Sequence, residues 1–194
     1  YIQKYSDEID YWNLVYDERL ENIEKLHNLL PLKLLDIGCG AGFFLSRAKE
    51  RKWDVLGIEP SKLAADYAKK HGIKVLENFF EKIDFSNISK FHAIHMNAVL
   101  EHSLNPNMIL EKCHSLLVDD GTIVIDVPND FNPLQKIAQK TLGKNEWWIV
   151  PTEHLNYFNF ESLSNLLKKN GFAILKKEST FPLELFLLMG YDYL

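Results

Sequence analysis

The sequence predicts a doubly wound α/β domain: a mainly parallel sheet with helices on both faces. Three observations predict it. Short apolar runs at 33–37, 53–58, 73–76, 91–96 and 122–127 alternate with stretches of helical spacing. The connections between runs are long enough for right-handed crossovers. The glycines and acids with chemical potential stand just after apolar runs, where such a sheet binds its ligands.

The elements follow in order. Residues 7–30 carry Ile9, Trp12, Tyr16, Ile23, Leu26 and Leu30 at helical spacing, and Pro31 is expected to stop that helix. The run 33–37 is a strand leading straight into Gly38, with a helix after it over 42–51. A second strand, 53–58, is followed by Ser61 as N-cap of a helix ending at His71 and Gly72. Strands three and four are 73–76 and 91–96. Asn105-Pro106 starts a helix that buries Ile109, Leu110, Cys113, Leu116 and Leu117. Asp119-Asp120-Gly121 turns the chain into a fifth strand, 122–127. Residues 128–153 break the rhythm and read as an insertion above the strand ends. A helix over 160–170, closed by Gly171, leads to a sixth strand at 172–176. The expected organisation is an N-terminal helical segment, 1–31, and one domain over 32–194.

Composition narrows the function. The 194 residues are 46% hydrophobic and 25% charged, as in ordinary globular protein. A net charge of −5, with no long run of either sign, argues against a nucleic-acid partner held by phosphate neutralisation. Cys39 and Cys113 form no disulfide framework, which points to a reducing cytoplasm. No apolar run is long enough to span a bilayer, and no membrane partner is expected. A start at Tyr1 and an apolar stretch at 181–191 that stops abruptly read as a piece of a longer chain.

The chemistry concentrates at Asp36-Ile37-Gly38-Cys39-Gly40-Ala41-Gly42. Ligands approach backbone closely only where no Cβ intervenes. The helix N-terminus behind the turn favours an anionic group. Glu59 ends the second strand, at the distance from the turn suited to holding both ribose hydroxyls. These residues alone indicate an adenosine-containing ligand. A dinucleotide turn would place its third glycine at position 43, where Phe43 stands.

The segment from Leu34 to Leu45 resembles the first motif of class I methyltransferases dependent on S-adenosylmethionine (SAM), and Gly57-Ile58-Glu59-Pro60-Ser61 resembles the second. Asn97-Ala98-Val99-Leu100-Glu101-His102 and residues 116–129 are similar to the later motifs, so the likeness runs in order from 34 to 172. It implies a Rossmann-like fold, SAM as cofactor and S-adenosylhomocysteine (SAH) as product. By position it implies that Gly38, Gly40 and Gly42, with Cys39 among them, pass beneath the methionine part and that Asp36 supports the turn and the amino group. It implies that Glu59 holds the ribose, that Pro60, Asn78, Phe79 and Phe80 flank the adenine, and that Asn97 and Ala98 lie beside the methionine chain. It also implies a small-molecule acceptor, such as a sugar, and O-methylation. Related chains often begin with a small Cys-x-x-Cys zinc module.

Methyl transfer from a sulfonium needs alignment, exclusion of water and removal of a proton, and no protein nucleophile. His154, between the insertion and the next helix, is the candidate base or acceptor-orienting group, with a loop-anchoring histidine as the alternative. His27, His71, His92, His95 and His114 read as surface or packing residues. Ubiquinone-type O-methyltransferases carry a similar E-x-x-E-H segment associated with a metal. Here Ala98 takes the first position, so no metal is expected and His102 is assigned a hydrogen bond that fixes its loop. Trp147, Trp148 and Tyr157 read as an aromatic wall for the acceptor, or as the core of the insertion. Tyr5, Tyr11, Trp12 and Tyr16 read as helix packing, with a lid over the cofactor as the alternative. Two other functions stay open: a nicotinamide-dependent oxidoreductase, disfavoured by Phe43, and a non-catalytic binding protein, disfavoured by the intact glycines and Glu59.

Overall fold

The computed structural model describes residues 2–28 and 30–191, apart from the side chains of Lys4 and Tyr5, so the assignment of Tyr5 lies outside the described residues. Among the described residues five strands form one parallel sheet: β1 (Lys33–Ile37), β2 (Asp54–Ile58), β3 (Val75–Leu76), β4 (Phe91–Asn97) and β5 (Leu117–Asp126), in the order β3-β2-β1-β4-β5. The helices are α1 (Ile2–Asp7), α2 (Ile9–Glu24), α3 (Phe43–Glu50), α4 (Lys62–Lys70), α5 (Pro106–Leu116), α6 (Pro133–Leu142), α7 (Phe160–Lys169) and α8 (Leu183–Leu188). The order reverses at β1, so the ends of β1 and β4 form the switch point where ligands bind in such sheets. Among the described residues no helix is long and apolar enough to cross a membrane.

The chain falls into two compact units, Tyr1–Val99 with Ser115–Asp126, and Leu100–His114 with Val127–Leu194. The first holds the whole sheet. Leu34, Leu35 and Ile37 of β1 are buried, as a central parallel strand covered on both faces requires. Tyr16, Leu20 and Ile23 of α2 share a core with Phe44, Leu45 and Ala48 of α3 and with Trp53 and Val55. Each of the larger apolar side chains contributes about 1.5–3 kcal/mol by leaving water. Asp17 fastens α2 to α3, accepting from Arg47 Nε at 2.8 Å and from Arg51 Nη2 at 2.9 Å. The hydrogen bond from Arg47, then that from Arg51, holds the Asp17 carboxyl below the usual carboxylate range against the opposing effect of burial.

Several expectations change. The N-terminal helix is two helices and ends at Glu24, well before Pro31; Leu26 and Leu30 are exposed. The hydroxyl of Ser61 makes no capping bond. Asn105 does cap α5, its Oδ1 accepting from Met108 N at 3.1 Å. β5 begins earlier than expected, at Leu117, and loops out four residues between its pairings Phe91↔Leu117 and Ala93↔Thr122. The insertion contains a helix, α6, closed by a capping box between Asn132 and Gln135. The expected sixth strand is absent. Phe172 and Ile174 are half-buried between exposed neighbours, yet no described strand pairs with residues 172–176, and without a ladder their backbone has no reason to be held extended.

Candidate active site

The turn after β1 is built from backbone bonds. Gly38 N and Cys39 N both donate to Ile58 O, at 2.8 and 3.0 Å, so the end of β2 holds the turn against β1. Gly38 has φ +73°, and a Cβ there would meet Val99 Cγ2 at 2.5 Å. Gly42 also has positive φ, but it faces α4, where a Cβ would meet that of Ala68 at 3.0 Å. The third glycine therefore lets two helices close up.

Glu59 is buried and its two oxygens are already oriented. Oε2 accepts from Gly40 N at 2.9 Å and Oε1 from Ser61 N at 2.7 Å. Each carboxylate oxygen keeps a second lone pair, so the pair can still accept from two vicinal hydroxyls. A cavity of about 310 Å³ opens here, lined by Gly38, Gly40, Glu59, Ser61, Ala64, Asn97 and Ala98. Ala98 has φ +54°, a left-handed conformation uncommon for a residue with a side chain and typical of functional strand ends. The bare backbone, the paired acceptors and the room beside them fit the nucleoside and amino-acid parts of SAM.

The cavity thus brings together five of the expected residues: Gly38, Gly40, Glu59, Asn97 and Ala98. Asp36 and Cys39 are buried and do not line it; the Cys39 thiol sits where a Cβ on Gly57 would fall, at 2.5 Å. Pro60, Asn78 and Phe79 are exposed, and Phe80 is core, packed on Phe85. Ser61 and Ala64 were missed, since a small residue in a helix's first turn carries no sequence signal beyond capping. His95 is buried, the packing alternative of its reading, and is also hydrogen-bonded to Asp36 at 2.6 Å.

The second unit has its own cluster. His102 Nδ1 contacts Glu153 O at 2.6 Å, and Leu155 N and Asn156 N both donate to Glu101 O at 2.9 Å. The carbonyl fixes the His102 tautomer with its proton on Nδ1. This is the loop-fixing bond expected of His102. Glu101, His102 and His154 lie together, with ligand atoms within 4.8 Å of one another, so they could share a divalent cation. Their N, N, O chemistry suits zinc or a similar ion. Asp130 is buried, which raises its carboxyl above the usual range, while the charge of nearby His154 works the other way. The His154 ring packs at 6.1 Å from Tyr157, and Tyr157 at 5.9 Å from Phe131. Trp148 is core, whereas Trp147 and Tyr157 are half-buried. Phe131, with φ +56°, is an outlier that sequence reading missed; the turn-rich Asn129–Pro133 stretch was its only signal. In the N-terminal helix, Tyr16 packs on Phe44 at 5.6 Å within the core and Trp12 stacks on Tyr16 at 6.1 Å.

Residues 11–177 match the family described as "Methyltransferase domain". The chain belongs to that methyltransferase family. Among relatives of this methyltransferase, the ubiquinone biosynthesis O-methyltransferase of Actinobacillus pleuropneumoniae serotype 5b is 27% identical over 167 residues, covering 75% of this chain and 71% of the relative. The enzyme of the same name from Dechloromonas aromatica is 28% identical over 170 residues, covering 82% and 71%. Solved structures confirm the fold. A magnesium protoporphyrin IX methyltransferase from Synechocystis PCC 6803 with bound SAH aligns at a TM-score of 0.68 and 16% identity, covering 88% of this chain and 77% of that one. A plantazolicin methyltransferase in complex with a pentazolic desmethylPZN analogue and SAH aligns at a TM-score of 0.65 and 20% identity, covering 97% of this chain and 81% of that one.

Proposed function

We propose that this methyltransferase moves the methyl group of SAM to a hydroxyl of a small molecule. The observation that carries the cofactor assignment is the Glu59 carboxylate held by Gly40 N and Ser61 N beside glycine backbone. When bound, SAM supplies an electrophilic methyl on a sulfonium sulfur. Glu59 would accept the ribose hydroxyls, the Gly38–Gly40 backbone and Asp36 would support the methionine part, and Asn97 and Ala98 would line its chain. Phe79, exposed after β3, is the better adenine neighbour of the two phenylalanines, because Phe80 is committed to the core. The relatives named for ubiquinone biosynthesis support a hydroxyl acceptor and a small-molecule class. The half-buried Trp147 and Tyr157 rings suit a sugar or aromatic ring.

In this reading His154 is the base. Its Nδ1 is buried with no hydrogen-bond partner among the described residues, which leaves an acceptor for the hydroxyl proton. The proximity of Glu101 and His102 favours a second reading, in which the three hold a cation that activates the hydroxyl. Dialysis against a chelator separates the two: activity survives if His154 acts alone, and is lost and restored by added zinc if a cation acts. Cys39 and Cys113 are free and buried, which raises both thiols and keeps them unreactive, in keeping with a cytoplasmic protein.

The test has two steps. SAH, and not NAD or NADP, should raise the melting temperature; stabilisation by the dinucleotides alone would reverse the assignment. A mass-spectrometric screen with methyl-labelled SAM against phenols, sugars and sugar nucleotides should then find labelled product. Label confined to amines or carbon acids would refute the hydroxyl acceptor.

A further inference from the structure

Asp36 and His95 face each other as register partners on β1 and β4, and both are nine-tenths or more buried. His95 Nδ1 lies 2.6 Å from Asp36 Oδ1, and His95 Nε2 lies 2.8 Å from Arg19 Nη1 on α2. A guanidinium has only donors, so the arginine contact assigns the histidine. Nε2 must present its lone pair to Arg19, and the ring's one proton sits on Nδ1, donated to Asp36. Phe44 of α3 packs against the imidazole at 4.2 Å and keeps it in that plane.

The other arm of the fork reaches a second strand end. Arg19 Nη2 donates to Asp126 Oδ2 at 2.7 Å. The carbonyl of that same Asp126 accepts from Ala98 N at 3.0 Å, and Ala98 is the strained residue lining the cavity. One side chain from α2 therefore connects, through a single intermediary each time, to the residues that carry two walls of the cavity. A lysine's single ammonium nitrogen lacks the rigid two-nitrogen fork that holds these two acceptors apart.

We propose that Arg19 and His95 are positioning residues for cofactor binding: Arg19 fixes the Asp36 carboxylate behind Gly38 through His95, and steadies Ala98 through Asp126. The proposal rests on the cavity at Gly38, Gly40 and Glu59 being the SAM site. It makes the N-terminal helix a working part of that site and gives His95 a neutral, donor-to-acid role that packing alone would not require.

Two measurements test it. In nitrogen-15-labelled protein at neutral pH, long-range proton–nitrogen spectra should show His95 as the Nδ1–H tautomer, the minor form of histidine free in water. A wild-type proton on Nε2 overturns the hydrogen-bonded chain, whatever the protein binds. In calorimetric titration, His95→Phe and Arg19→Met should each weaken SAH by about 10-fold, with KM for the cofactor rising far more than kcat falls. His95→Asn, whose amide can still donate to Asp36, should recover most of that loss. Unchanged SAH affinity in cooperatively melting His95→Phe and Arg19→Met proteins overturns the positioning role; where His95→Phe does not fold, Arg19→Met and the tautomer decide. Wild-type protein that binds no SAH overturns the cofactor reading and this role with it, and the tautomer then shows whether the chain itself was also at fault.

Discussion

At the glycine turn, the N–H groups of Gly38 and Cys39 end on Ile58 O, those of Gly40 and Ser61 end on Glu59, and Asp36 is held by His95. Around His154, Asp130 Oδ2, Trp148 Nε1 and His154 Nδ1 are buried with no hydrogen-bond partner among the described residues. Buried polar atoms are nearly always satisfied, so three orphans among neighbouring residues ask for an explanation that the turn does not. The difference separates two ways of building a site. The turn is organised in advance, with acceptor capacity left over on atoms already fixed. The cluster leaves buried polar atoms unmet, at a cost in stability of about 1–3 kcal/mol for each one.

Mutations at the turn should weaken SAH binding, and mutations at the cluster should spare it. The largest effect is expected from Gly38→Ala, which adds a methyl 2.5 Å from Val99 Cγ2 to backbone at φ +73°. Left-handed strain alone costs about 1–3 kcal/mol, and the collision adds to it, so SAH affinity should fall about 100-fold. The double variant with Val99→Ala should regain part of this, because it removes the collision and leaves the strain. His154→Ala comes next: turnover falls about 100-fold while the SAH dissociation constant, read by calorimetry, stays within twofold. Intact turnover would end the catalytic role of His154 and leave loop anchoring in its place.

Glu59→Gln should weaken SAH by about 10- to 100-fold, the scale of a lost charge-assisted hydrogen bond. One of its two acceptors becomes a donor and meets the N–H of Gly40 or Ser61 head-on. Asp130→Asn should have the smallest effect and the opposite sign. Burial raises this carboxyl above its ordinary value. Its cost to the fold is therefore absent in acid, grows as pH rises through the ordinary carboxylate range, and is complete above the folded value. The asparagine variant should be more stable than the parent by about 1 kcal/mol at neutral pH and no more stable at low pH, as thermal melts at the two pH values would show. Equal gains at both would mean that charge is not the cause.

The turn was legible because its signals are local: three glycines, an aspartate and a following acid within 24 residues, at spacings set by one strand, one helix and the next strand. The family followed from the order of those signals. His95 was not legible, because it sits in a strand of apolar neighbours and its partners Arg19 and Asp36 lie 76 and 59 residues away. Ser61 and Ala64 line the cavity through what they lack, bulk, and small residues announce nothing by themselves. The sixth strand failed for the complementary reason. The apolar run at 172–175 states what could be buried, while a strand also needs a neighbour to bond, and that neighbour is a property of the fold.

Hydrogen exchange read by mass spectrometry, with and without SAH, tests the cofactor assignment most directly. Amides in the peptides covering 38–42 and 59–64 should slow on addition of SAH and stay unchanged with NAD. SAH that binds yet slows neither segment would contradict the account.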